Sequence, residues 1–427
     1  MNRILITLMA IGAAVSAEAL TLQEARQLAV DNYPLVRDYD LITLTERYNL
    51  QNAAKAWLPQ VEVGAQATWQ TDVSAYPDVL KEMLSQRGMD LKGMSPWQWK
   101  AQVDVRQVIW DGGRIKASQD VAKREAEEDR LSNEVELYRL REHIDDIYFS
   151  LLLLSQQGEA IRSSIALLQA NLDRVNSLVV NGAAMQSDAD AIEAELLSTK
   201  QQLISVQSVM KAYRKILALY VGARADEELE EPTPVMLPSA NDSRMRPEQR
   251  LMSARQETLL ARQSQVRKES MPQIGAFAQG YFGYPGMNFM ESMMNRDPSF
   301  NAMLGVSVSW NIGSLYTRKN KLLSLQAAAD RVDVSRRVFE FNTDVQATQY
   351  RTEIDRLREI SESDKAIVEL RGRVRNASEA RLREGIVEPT DLLLRITDEK
   401  NALISANSHR IEYLKAIYQL QNTLNYE

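Results

Sequence analysis

Residues 58–70 read LPQVEVGAQATWQ. Val61, Val63, Ala65, Ala67 and Trp69 alternate with Glu62, Gly64, Gln66, Thr68 and Gln70. A side-chain period of two puts one set on each face of a strand, so the segment predicts a strand with an apolar and a polar face. Charged, leucine-rich sequence of helical character lies on both sides of it. The pattern has an echo in the other half of the chain. Residues 271–283 read MPQIGAFAQGYFG, and setting Pro59 on Pro272 aligns Val61 with Ile274, Val63 with Ala276, Ala65 with Ala278 and Trp69 with Phe282.

A second strand pattern follows each copy: WQWKAQVDVRQVIW, ending at Trp110, and AMLGVSVSW, ending at Trp310. Asp111-Gly112-Gly113-Arg114 and Asn311-Ile312-Gly313-Ser314 then open long helical stretches. The chain reads as two copies of helix, strand, loop, strand, long helix, turn, helix. The first repeat is expected over residues 20–222, with strands at about 60–71 and 97–110. The second is expected over 247–427, with strands at about 272–284 and 302–311. Residues 223–246, carrying Pro232, Pro234 and Pro238, predict a non-helical connector.

The helical stretches carry heptad seams. Leu137, Leu140, Ile144, Ile147, Leu151, Leu154, Gly158, Ile161, Ile165, Leu168, Leu172, Val175 and Val179 follow a 3,4 spacing. Residues 186–222 carry another seam through Leu196, Leu203, Val206, Met210, Tyr213, Leu217 and Tyr220, and Ile411, Leu414 and Tyr418 continue the theme. Such seams predict coiled-coil packing. A helix from about 113 to 181 would run roughly 100 Å, while those at 22–57 and 186–222 are about half that. Two short helices end to end thus match one long one. Thr21 and Glu24 form a capping-box pattern at the first start.

Composition narrows the function. The 427 residues carry a net charge of −7, which gives no footprint for nucleic acid. There is no cysteine, so disulfides and thiolate chemistry are excluded, and the two histidines, His143 and His409, have no metal-ligand companion at motif spacing. No catalytic constellation, cofactor motif or metal motif is found. Arg3, an apolar run from Ile4 to Val15 and Ala17-Glu18-Ala19 form a signal-peptide pattern over residues 1–19, so export is expected.

The strands then need a partner for their apolar face. Segments of about ten residues with aromatics near their ends fit tilted outer-membrane strands. Val61, Val63, Trp69, Trp99, Val103, Val105, Ile274, Phe282, Val306, Val308 and Trp310 are the expected lipid-facing residues, with Trp97, Trp110, Tyr281 and Tyr284 completing an aromatic girdle. Glu62, Gln66, Thr68, Lys100, Gln102, Asp104, Arg106, Gln279, Ser307 and Ser309 would face a watery lumen. About eight strands are the least that close a barrel, and an open edge does not survive in lipid. Several chains must therefore share one barrel.

The chain resembles the TolC-type outer-membrane efflux family. The resemblance rests on Leu22, Glu24, Ala25, Ala29, Asn32 and Pro34, on the strand–helix junction residues Pro59, Gly113, Pro272 and Gly313, and on two turn motifs, Asn181-Gly182 to Asp188 and Glu384-Gly385 to Asp391. It implies a mainly α protein with a small β part: a long antiparallel coiled-coil α-barrel joined to a membrane β-barrel, with four strands per chain shared in a homotrimer. It also implies a place in the outer membrane of a Gram-negative bacterium, reaching into the periplasm. There the trimer would serve as a passive exit duct with a periplasmic adaptor and an inner-membrane pump. By carry-over, Gly182 and Gly385 lie at adaptor-docking tips, and Asp188 and Asp391 line the periplasmic mouth as a ring of six carboxylates. Helix capping is the simpler reading of both aspartates. The position of the family's basic gate residue holds Val387 here, and Pro389 stiffens the second turn.

The inter-strand loops, 72–96 and 285–301, hold Met83, Met89, Met94, Met287, Met290, Met293 and Met294. Loop packing accounts for such residues; thioether capture of Cu(I) is the alternative. Two other classes compete with the duct. A soluble periplasmic coiled-coil scaffold or adaptor would have no lipid-facing strands, and a diffusion porin would need many more strands in one chain.

Overall fold

A computed structural model describes residues 19–88, 92–234 and 245–426. The expected signal peptide up to residue 18, Met89 and Pro238 lie outside the described residues. The first half of the chain forms α1 (Leu22–Asn32), a 3₁₀ turn (Pro34–Arg37), α2 (Asp38–Lys55), β1 (Gln60–Trp69), α3 (Asp78–Ser85), β2 (Trp97–Trp110), α4 (Arg114–Val180) and α5 (Gln186–Val221). The second half repeats the series as α6 (Pro247–Glu269), β3 (Gln273–Tyr284), α7 (Phe289–Asn295), β4 (Ser299–Ser309), α8 (Ser314–Arg383) and α9 (Pro389–Leu424). The long helices α4 and α8 have 67 and 70 residues, and α5 and α9 have 36 each. The fold gathers into two compact units, each drawing on both repeats. Of the described residues, one takes those in 19–39, 132–250 and 335–426, the other those in 40–131 and 251–334.

In the first unit the seams pack as their spacing demands. Ile144, Ile147, Leu151, Leu168, Leu172 and Val175 of α4 are buried, as are Leu196 and Leu217 of α5 and Ile411 and Leu414 of α9. Gly158, the one break in the α4 seam, faces the Val206 side chain at 3.9 Å from where its Cβ would lie, an ordinary contact that leaves room for a larger residue. The Thr21–Glu24 capping box forms, each residue's side chain accepting from the other's backbone N–H at 3.2 Å. The expected single helix over 22–57 is interrupted. Tyr33 is extended (φ −73°, ψ 129°) because Pro34 disfavours the helical region in the residue before it. Asn32 anchors the break by donating to the Tyr220 carbonyl at 2.8 Å.

The segment expected to be a non-helical connector opens with a 3₁₀ turn, Gly222–Asp226, and the residues after it are bound to the start of the described chain. Leu20 and Leu229 form a parallel bridge, Leu20 N–H donating to Glu228 at 2.8 Å and Glu230 N–H to Leu20 at 3.1 Å. The buried Tyr148 hydroxyl sits 2.7 Å from the Leu20 carbonyl and 2.6 Å from that of Glu230, tying both segments to α4. Nearby, the Arg26 guanidinium grips Asp145 with two bonds of 2.6 Å, and Asn422 of α9 donates to the same carboxylate at 2.5 Å. Asp145 is only 1% exposed, and burial, partly offset by Arg26, raises its pKa. Arg246 and Glu248 form a second buried pair at 2.6 Å, with the Arg246 guanidinium over the rings of Tyr138 and Phe339. Burial pushes the Tyr138 hydroxyl up to about 12.

In the second unit the strands form one antiparallel sheet in the order β1-β2-β3-β4. Its register aligns the apolar sets of all four strands: Val63 opposes Val103, Val103 opposes Gly280, and Gly280 opposes Ala302. β4 begins at Ser299, three residues before the expected 302, because Ser299-Phe300-Asn301 continue the alternation and pair with β3. β1 and β4 end at Trp69 and Ser309, two residues short of expectation. A bulge between Val108 and Trp110 flips the parity of β2, so Trp110 opposes Ile274 on the apolar face.

The loops between strands are ordered by polar ties. Arg296 donates from Nε to the Gly93 carbonyl at 2.9 Å, and the Tyr284 hydroxyl accepts from Ser95 N–H at 2.9 Å. Tyr284 is thereby buried beneath the loop rather than exposed in a girdle. Tyr281 also leaves the expected girdle. Register pairs it with Gln102 and Asn301 on the polar face, its ring 5.7 Å from the Lys100 ammonium.

Candidate functional site

Three places carry the expected functional residues: the sheet, the strand–helix junctions and the two helical turns. On the sheet, Val61, Val63, Trp69, Trp99, Val103, Phe282, Val306 and Val308 are all exposed, Val63 at 76%; Leu304, unremarked in the sequence, is exposed at 86%. Val105 and Ile274 share that face by register and are half-buried. Trp310 lies just past β4, exposed, with its indole N–H donated to the Ser270 carbonyl at 3.0 Å. On the opposite face Asp104 accepts from Gln102 at 2.8 Å and from Gln279 at 2.7 Å. Glu62, Lys100, Asp104 and Arg106 give this face two charges of each sign. Phe277 and Met303 also point there by register, although the sequence reading assigned neither. The outer edges of β1 and β4 have no strand partner among the described residues.

The junctions are less alike than their sequences. Asp111, buried, accepts from Gly113 N–H at 2.8 Å and from Ile115 N–H at 2.6 Å, capping α4. Gly112 and Gly113 have φ of 68° and 84°, and a Cβ on Gly112 would meet the Met271 Cβ at 2.5 Å. Gly112, passed over in favour of Gly113, is the tighter position. In the second repeat Ser314 donates to the Asn311 carbonyl at 2.6 Å, and Gly313 has no positive φ. Pro59 and Pro272 each stand one residue before their strands, just past the ends of α2 and α6.

The turns are built to one plan. Gly182 (φ 72°) and Gly385 (φ 73°) are exposed and take the left-handed position that closes α4 and α8. The N–H of Ala183 reaches Leu178 at 2.8 Å and that of Ile386 reaches Arg381 at 2.9 Å, the six-to-one bond of a Schellman motif. No atom lies within 4 Å of a Cβ placed on either glycine. Leu168, Leu172, Val175, Ile192, Leu382 and Leu392 form one apolar cluster beneath both turns, and Val387 packs against it.

The two aspartates part company here. Asp188 accepts from Met185 N–H at 3.1 Å, capping α5. Asp391 instead accepts from the Ser378 hydroxyl at 2.9 Å and from Arg395 at 3.2 Å. Ionic contacts then tie the hairpins together. Arg174 meets Glu379 at 3.2 Å and Lys400, 5% exposed, meets Glu195 at 3.3 Å. Arg383 also bonds Glu379 at 2.8 Å, and Arg375 bonds Glu399 at 2.7 Å. Hydrogen bonds from Arg383 and Arg174 hold the Glu379 carboxyl below its usual pKa.

Comparison with known proteins shows what this chain is similar to. Residues 18–223 match the family described as outer membrane efflux protein. Comparison with curated proteins found no match. Among solved structures, the outer membrane protein VceC of Vibrio cholerae is similar at 14% identity, with TM-score 0.69, covering 95% of this chain and 97% of that one. The CmeC outer membrane channel of Campylobacter jejuni is similar at 13% identity, TM-score 0.67, over 95% and 85%. The open-state MtrE outer membrane channel of Neisseria gonorrhoeae is similar at 14% identity, TM-score 0.66, over 94% and 88%. Among the described residues no helix is long and apolar enough to cross a membrane. The first repeat thus matches the outer membrane efflux protein family in sequence, and nearly the whole chain shares the fold of these outer-membrane channels.

Proposed function

We propose that three copies of this chain form a passive exit duct through the outer membrane. The observation that carries the reading is the four-stranded sheet, with one face almost wholly apolar and exposed and, among the described residues, both edges unpaired. In lipid each unpaired backbone group costs several kcal/mol, so the edges of β1 and β4 must pair with other copies. Three sheets give twelve strands, enough for a water-filled passage. The face with Glu62, Lys100, Asp104 and Arg106 then lines that passage, and its balanced charge discriminates little between cargoes of either sign.

The turns at Gly182 and Gly385 form the periplasmic mouth in this reading. Their open surroundings suit docking of an adaptor, and an inner-membrane pump supplies the energy and chooses the cargo. Asp188 and Asp391 repeat into a six-carboxylate ring, but Arg395 offsets three of its charges. The cross-hairpin ion pairs hold the mouth in place of the basic gate residue that Val387 replaces.

The test is the oligomer mass of the protein extracted in detergent from isolated outer membranes, by light scattering corrected for bound detergent. A trimer supports the duct. A monomer released with the soluble periplasmic fraction overturns it and favours a coiled-coil scaffold.

A further inference from the structure

The β3–β4 loop holds chemistry that a duct does not use. Residues 289–295, the whole of α7, read FMESMMN. Met290, Met293 and Met294 stand at i, i+3 and i+4, positions that are neighbours on a helix surface. Methionine is ordinarily a packing residue. Here Met290 is 61% exposed and Met294 47%, with Met287 just before the helix also exposed. Met94, from the β1–β2 loop, is buried and does act as packing.

The platform beneath these thioethers is fixed. Asn288 caps α7, accepting from Glu291 N–H at 3.3 Å. Buried Ser292 accepts from Gly286 N–H at 3.0 Å. Arg296 closes the helix in the left-handed region (φ 58°) and clamps the Gly93 carbonyl. The Tyr76 hydroxyl lies 3.7 Å from the Met290 sulfur.

We propose that α7 is a binding site for a soft monovalent cation, Cu(I) or Ag(I), ligated by the thioethers of Met290, Met293 and Met294. Neutral, polarizable sulfur prefers such ions over Zn²⁺, Ca²⁺ or Mg²⁺. Thioethers carry no proton to displace, so capture is independent of pH, unlike a histidine or thiolate site. Glu291 in the same helix adds a negative charge that favours a cation. The site stands whether or not the chain forms a duct.

The experiment titrates silver nitrate into the full-length protein, purified in detergent and chloride-free buffer. Hydrogen peroxide is then added and each methionine sulfoxide is quantified by mass spectrometry. Bound silver is expected to slow oxidation of Met290, Met293 and Met294 at least tenfold and to leave exposed Met83 of α3 unprotected. The triple variant M290L/M293L/M294L, nearly volume-conserving, is expected to lose one equivalent of silver per chain. Equal oxidation with and without silver, equal protection of Met83, or an unchanged stoichiometry in the variant would each overturn the proposal. The footprint on the unaltered protein decides the matter even where the variant assembles poorly.

Discussion

At the scale of single residues, the junction glycines show how equal sequence hides unequal demand. Gly112→Ala meets both a left-handed φ and the Met271 side chain, and is expected to cost roughly 1–3 kcal/mol. Gly313→Ala meets neither; its nearest neighbour is Asn311 Oδ1 at 3.3 Å. Thermal melts of the two detergent-solubilised variants check this: a lowered midpoint for the first alone is the expected outcome. Arg26→Ala is a harsher change. It leaves the Asp145 carboxylate buried with only Asn422 beside it, a loss of about 3–5 kcal/mol. The double variant R26A/D145A is expected to recover part of that stability, read from the same melts. Gly182 and Gly385 were legible in the sequence because a Schellman turn demands glycine locally. The different partners of Asp188 and Asp391 were not, because Ser378 and Arg395 enter through tertiary packing.

Elements were legible where their period was sustained. The strands and seams follow from alternation and heptads that no competing pattern interrupts. The β2 bulge escaped because WQWKAQVDVRQVIW reads as one strand, and only pairing with β3 reveals that Ile109 is the extra residue. The break at Tyr33 was written in Pro34, which disfavours helix in the residue before it. The hairpin turns have an acid response set by Glu379. Its pKa lies below the unfolded value because Arg383 and Arg174 hold the charged form. Its contribution is therefore complete above the unfolded pKa and is lost as the pH falls through the lowered one. Hydrogen exchange at the ends of α4 and α8 is expected to quicken below about pH 4, and Glu379→Gln is expected to show that faster exchange already at neutral pH.

For the whole molecule, the apolar sheet face makes the strongest demand. An arginine at Val306, exposed in the isolated chain, would cost little in water. At the midplane of a bilayer it costs about 2–4 kcal/mol, once per copy. Val306→Arg is expected to reduce the amount of assembled protein in the outer membrane fraction, whereas Ser307→Arg, on the opposite face, is expected to leave it nearly unchanged. Immunoblots of fractionated cells check both. The two faces were legible in the sequence because alternation assigns successive side chains to opposite sides of a sheet.

The ion pairs between the two hairpins carry a consequence for symmetry. Arg174–Glu379 and Glu195–Lys400 each join residues 205 positions apart, so the last turns of α4 reach the last turns of α8, and the first turns of α5 reach the first turns of α9. The duplicated hairpins are therefore set head to tail, one flank meeting the other's opposite flank, with no two-fold axis between them. A contact of that sense leaves a fresh flank after every addition. Such a contact closes into a ring only where its rotation returns to the start, and in the proposed duct each chain then supplies two consecutive members, with the chain break at every second step.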